Sequence, residues 1–185
     1  MLTVQEKLFC LKLARKTLED YFKGTYELIN PPDKYPSLKQ KRGAFVTLLK
    51  EGNLRGCIGI IEPLYPLYQV IQEMAISAAF KDPRFPPLTK EELSLTEIEI
   101  SVLSPLKKGT IEEIEVGKHG VYLIKGFYRG VLLPQVPVEY GWDKKTFLEH
   151  LCLKAGLHPN CYKEEDVEIY LFTAEVFKES EFFKN

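Results

Sequence analysis

A thiol set between two glycines, with a guanidinium two residues before it, is the feature of this chain most able to do chemistry: Leu54-Arg55-Gly56-Cys57-Ile58-Gly59. Each glycine in an apolar, strand-like run gives up conformational entropy and leaves no side chain to pack. The pair therefore marks a bulge, a bend or a close approach of another group to the backbone. Cys57 has two readings. As packing, a free cysteine is a small hydrophobe and among the most buried of side chains. As chemistry, Arg55 or another cation holds Cys57 partly as thiolate, and backbone N–H groups near Gly56 and Gly59 bind an anion or a developing oxyanion. In a regular strand residues 55 and 57 share a face, so Arg55 serves Cys57 only where the glycines leave that alternation intact.

At this hexapeptide the chain resembles the AMMECR family, of which it is the signature. The resemblance continues in Asp82-Pro83-Arg84-Phe85, in Ile98 to Ser104, in Lys118-His119-Gly120, in Leu132 to Val136 and in Phe147 to Leu157, and covers roughly residues 5 to 178. It implies an intracellular α+β domain of two unequal lobes, for which no reaction is established. Prokaryotic relatives lie in gene neighbourhoods with a radical S-adenosylmethionine protein and a dioxygenase-like protein of the Memo type, which implies a shared pathway and makes those proteins the expected partners.

The polar and reactive members of the matching segments are Arg55, Cys57, Arg84, His119 and Gln135. A cleft built from them has two uses. In a binding or adaptor domain, Arg55 and Arg84 orient a small anionic ligand or a partner peptide, Gly56 and Gly59 admit it to the backbone, and Cys57 lets the chain come close. In a cysteine-dependent enzyme acting on a small anionic substrate, Cys57 is the nucleophile, His119 the base and Gln135 the oxyanion donor, with Glu62 as fallback base. These residues are far apart in sequence, so binding is the leading expectation.

The whole chain narrows the field. Its 185 residues, 45% hydrophobic, suffice for one domain, over residues 1–185, with a small lobe around 107–135. With 25 basic and 26 acidic side chains the net charge is -1, so no global field attracts phosphate backbones or acidic lipids, and nucleic acid is not the expected partner. No apolar run approaches the roughly 20 residues of a membrane span, and the start of the chain reads as an amphipathic helix rather than a signal peptide, which points to the cytoplasm. Cys10, Cys57, Cys152 and Cys161 include no C-x-x-C pair and are expected to be reduced. His119, His150 and His158 show no metal-ligand spacing, and neither metal nor cofactor is called for. There is no P-loop or dinucleotide fingerprint.

The elements that must position these residues follow from local pattern. Thr3 with Glu6 makes a capping box, and Val4, Leu8, Leu11, Leu18 and Phe22 recur at helical spacing until Gly24. Ala44 to Lys50 and Leu54 to Ile61 read as a hairpin that places the signature on its second strand. A helix from Leu67 to Phe80 ends in the small-residue run Ala75 to Ala79, which suits tight packing on a sheet. Prolines 83, 86 and 87 stiffen the loop carrying Asp82 and Arg84. Thr89 and Glu92 cap a short turn before an alternating strand, Leu95 to Leu103. A second hairpin spans Val121 to Leu133, a helix runs from Asp143 to Ala155, and Val167 to Phe177 is one long β-rich segment. The class is α+β with a mixed or antiparallel sheet and flanking helices. Tyr65, Tyr68 and Phe85 are candidate aromatic anchors for a partner.

Overall fold

Thr3 starts the first helix by reciprocal capping: its hydroxyl accepts from the Glu6 N–H at 3.1 Å while the Glu6 carboxylate accepts from the Thr3 N–H at 2.9 Å. From this cap α1 (Val4–Lys23) runs to Gly24, whose φ of 73° gives the left-handed stop. The structure, a computed structural model, describes residues 1–183. In chain order there follow β1 (Ala44–Lys50), β2 (Asn53–Ile60), α2 (Leu67–Phe80), α3 (Lys90–Leu93) and β3 (Thr96–Leu103). Then come β4 (Lys107–Lys108), β5 (Gly120–Lys125), β6 (Tyr128–Leu132), α4 (Val136–Tyr140), α5 (Lys144–Lys154), β7 (Glu168–Phe172) and β8 (Ala174–Lys178). Among the described residues no helix is long and apolar enough to cross a membrane.

These elements form two units, as the α+β reading with two lobes expects. The first takes Met1–Leu103 and the segment from Glu175 onward. Its sheet has the order β2-β1-β3-β8, so the signature strand β2 is an edge. Alternation sends Val46 and Leu48 of β1, and Ile98 and Ile100 of β3, into a core with Leu11 and Leu18 of α1 and Ile71 and Ala75 of α2. Arg15 ties α1 to the elements around it. Its guanidinium pairs with Glu179 and donates to the carbonyls of Leu93 and Thr96, both at 2.8 Å.

The last two turns of α2 lie directly on β2, and Gly56 is what allows it. A Cβ at Gly56 would stand 2.1 Å from the Ala78 carbonyl oxygen. Ala75, Ala78 and Ala79 are buried on the same contact, so the small-residue run is packing.

The second unit, Ser104–Ala174, is wider than the lobe expected at 107–135. Its sheet runs β4-β7-β5-β6, and α5 packs on β5 and β6 around Val121, Leu123, Phe147, Leu151, Ile169 and Leu171. Three features depart from the sequence reading. The β-rich run 167–177 divides at Thr173 into β7 and β8, which belong to different sheets. A short helix, α4, follows Gln135, with Pro137 supplying a pre-set φ in its first turn. And Cys152 and Cys161 are joined in a buried disulfide rather than reduced. The turn after α5 brings their Cα atoms to 5.8 Å, a return of the chain that their spacing in sequence does not announce.

Because the atom that a Gly56 side chain would strike is main chain, Gly56→Ala should cost roughly 3 kcal/mol as the helix is forced off the strand. Gly24→Ala has nothing within 4 Å to strike and meets only the left-handed φ, which costs roughly 1 kcal/mol. Urea unfolding of the two variants checks the order, and equal losses would contradict the close-approach argument.

Candidate functional site

The register of β1 and β2 decides what each signature residue can reach. Pairing runs residue for residue from Ala44↔Ile60 to Leu48↔Gly56, then jumps to Leu49↔Leu54. Arg55 is thus the extra residue of a bulge, and the alternation that would have put it beside Cys57 is broken. Gly56 lies with buried Leu48 on the helix-covered face, while Cys57 lies on the opposite face, where the Thr47 hydroxyl donates to its Sγ at 3.1 Å. Arg55 turns to the loop before α3. Its Nη2 donates to Glu92 Oε2 at 3.0 Å and to the Pro86 carbonyl at 2.9 Å, and Lys50 joins the same carboxylate at 3.2 Å. The Arg55 Nη1 is buried with no hydrogen-bond partner among the described residues. Opposite Gly59 the close neighbour is the Phe45 ring, which a Cβ would meet at 2.3 Å. The close approaches made at the two signature glycines are therefore internal.

Asp82 organises the outer edge of β2. Its side chain is 2% exposed, and it accepts four hydrogen bonds. Oδ2 takes the Cys57 N–H at 3.0 Å and Arg84 Nη2 at 2.8 Å, while Oδ1 takes the Arg84 N–H at 3.1 Å and Nε at 3.0 Å. Arg84 Nη2 also reaches the Cys57 carbonyl at 3.4 Å. The bonds from Arg84 hold the Asp82 carboxyl well below the usual carboxylate range despite its burial, and Asp82 in turn raises Arg84. The bonds of Asp82 and Arg84 to Cys57 and of Arg55 to the Pro86 carbonyl hold this loop against the strand, and the Phe85 N–H donates to the Asp82 carbonyl at 3.2 Å, so the loop starts as a turn and not as the extended run its prolines suggest. Glu92 was not foreseen as a site residue; its only signal was the capping box with Thr89, which it does form. Bonds from Arg55 and the Thr89 N–H pull its carboxyl down to about 2.

Cys57 is half-buried, and burial pushes its thiol above the ordinary value. The Thr47 hydroxyl and Arg84 pull it back, while Asp82 and Glu99 push it up further. Arg55 does not act on it. The sequence suggested a thiolate held by Arg55 or another cation: the bulge turns Arg55 away, Arg84 is the cation that acts on the thiol, and desolvation, the largest effect, favours the neutral form.

The other two candidates belong to the second unit. His119 Nδ1 accepts the Glu115 N–H at 3.0 Å, and the His119 main-chain N–H donates to the Glu115 carbonyl, so side chain and backbone together close the turn before β5. Gln135 occupies the N-cap position of α4 with its main-chain carbonyl accepting from the Glu139 N–H and its side chain making no capping bond. Arg55, Gly56, Cys57, Gly59 and Arg84 are all in the first unit. Among the described residues no three His, Cys, Asp or Glu side chains gather as metal ligands would.

Two measurements follow from these shifts. Cys57 should react with iodoacetamide at pH 7 ahead of Cys10, which is fully buried, yet more slowly than a free cysteine, and its rate should keep rising above pH 9; labelling faster than a free thiol would refute the neutral-thiol assignment. For Glu92, whose pKa falls on folding from 4.5 to about 2, the unfolded chain binds protons first as pH drops. Its stabilisation is therefore complete above pH 4.5 and disappears as pH falls toward 2. Acid unfolding of Glu92→Gln should lose part of the wild-type slope in that window and start from a lower stability at pH 7.

Comparison with other proteins agrees with the α+β fold and the family. Protein MJ0810 of Methanocaldococcus jannaschii is 47% identical over 191 residues, covering 98% of this chain and 94% of that protein. Protein PH0010 of Pyrococcus horikoshii is 47% identical over 182 residues, covering 92% and 88%. The crystal structure of the latter, an uncharacterized protein, matches with a TM-score of 0.86 at 45% identity, over 96% of this chain and 93% of that one. Residues 11–177 match the AMMECR1 family profile, and the chain belongs to the AMMECR1 family.

Proposed function

We propose that this domain recognises a protein partner through the outer edge of β2 and the loop at Asp82 to Phe85, with Cys57 kept beside it as a thiol. The observation that supports this most is the buried Asp82 carboxylate, which at once closes the strand edge and fixes a guanidinium whose side chain is 56% exposed. Phe85 sits between two cations, its ring centroid 5.9 Å from the Arg55 guanidinium carbon and 5.6 Å from that of Arg84. An arginine and an aromatic ring already held in place lose little freedom on binding, and these residue types dominate interface hot spots. Asp82 offsets the charge of Arg84, so its outer N–H groups suit a carboxylate or carbonyl of a partner, or a small anionic ligand, more than a phosphate backbone. Tyr65, 46% exposed, extends the anchor set, whereas Tyr68 packs against the core.

The family resemblance supplies the partner class: Memo-type and radical S-adenosylmethionine proteins, met in the cytoplasm. Titration calorimetry of this chain against each should give saturable binding to at least one. Phe85→Ala should weaken it by about tenfold or more, at unchanged melting temperature. Cys57→Ser, retaining that affinity, would separate recognition from the alternative in which Cys57 attacks a small anionic substrate. Failure to bind either protein, wild-type affinity in Phe85→Ala, or tight nucleic-acid binding at about 150 mM salt would overturn the reading.

A further inference from the structure

Away from the signature, the end of α1, the turn after it and the last turns of α2 enclose a surface groove of about 500 Å³, lined in part by Tyr21, Tyr26, Glu73, Ser77 and Lys81. Its volume is in the range of ligand sites. Tyr21 and Tyr26 are its aromatic lining. Tyr21 stacks on Phe80 with centroids 4.7 Å apart and 27° between planes, and Phe22 meets the edge of Phe80 at 5.3 Å. Tyr21 is thereby held from behind while 41% of it stays exposed, and Tyr26 stands against it at 6.4 Å and 56°. Glu73 brings a carboxylate to the Tyr26 end. Gln69 donates to its Oε1 at 3.0 Å, and its Oε2 has no partner among the described residues. Burial and then the charge of Glu73 push the Tyr26 phenol up, so the ring is neutral beside an anion. Lys81 lines the other end, about 12 Å farther along the helix axis at 1.5 Å per residue.

Two tyrosine rings and a carboxylate with one oxygen open, lining one space, favour a cation, and specifically one with apolar surface, because a metal ion or water would leave the rings without a partner. We propose that this groove binds an organic ammonium group, with Tyr21 and Tyr26 presenting ring faces and Glu73 the counter-charge. None of these residues belongs to the signature edge, so the inference stands apart from the partner reading. An ammonium group arrives either on a free amine or on a lysine side chain, and the experiment has an arm for each. The full chain is titrated with choline, with its neutral isostere 3,3-dimethylbutan-1-ol, and with Nα-acetyl-lysine amide, following the tyrosine ring and Ser77 amide signals by NMR. Saturable shifts of these signals are expected with at least one of the two cations, and the isostere should bind about tenfold more weakly or not at all. Choline binding marks a free amine as ligand; binding of the lysine amide alone marks a partner's lysine. Glu73→Gln and Tyr26→Leu should each lose affinity by a similar factor while keeping the wild-type circular dichroism spectrum. Absence of saturable shifts with both cations, equal binding of the isostere, or wild-type affinity in both variants would overturn the proposal.

Discussion

A buried carboxylate is tolerable only when donors meet its lone pairs, and at Asp82 that requirement dictates the shape of the signature edge. Among the described residues β2 has β1 on one side and no strand on the other, so the Cys57 N–H and C=O would stand open. Asp82 and Arg84 take the place of the absent strand at that one position, the first accepting from the N–H and the second donating to the carbonyl. The bulge at Arg55 sends a second guanidinium to the far end of the same loop, where Pro86 and Glu92 receive it. Three successive residues of the signature thus act in three directions: Arg55 fastens the loop, Gly56 seats α2, and Cys57 offers its backbone to Asp82 and its side chain to Thr47. The combination of types that looked like a reactive centre is, in the fold, first a joint.

Local signals carried the sequence reading as far as the elements and stopped at their pairing. The capping boxes at Thr3 and Thr89, the Gly24 stop and the two hairpins each depend on neighbours within a few residues, and all were readable. The division at Thr173 was not, because it lies in an unbroken run of β-formers and only the two sheets reveal that the strands on either side part company. The Cys152–Cys161 bond, the bulge and the pairing of Arg55 with Glu92 depend on contacts made in three dimensions. For the site the same limit applied: residue types suggested a thiolate beside a cation, but the thiol's state is set by burial and by Asp82, Glu99 and Arg84 together, which no spacing displays.

Arg15, Arg55 and Arg84 each face a carboxylate, that of Glu179, Glu92 and Asp82 respectively. In a chain of net charge -1 they act as ties between elements rather than as a positive field. Planar, multiply donating guanidinium groups suit that task, since each can bind a carboxylate and a carbonyl at once. Arg84 differs in being exposed as well as tied.

The second unit begins at Ser104 and ends at Ala174, between two strands of the first. Its ends lie side by side, for the Ser104 N–H donates to the Thr173 carbonyl and the Thr173 N–H to the Ser104 hydroxyl, both at 2.8 Å. For a chain emerging from the ribosome this has a plain consequence. The first sheet is left with β3 as a bare edge, and its core lacks the buried Phe177, until the whole inserted segment has been made. Closing that long excursion costs chain entropy, and a unit that folds on its own core and holds its two ends together carries that cost itself, so that β8 has only a short reach to the edge of β3.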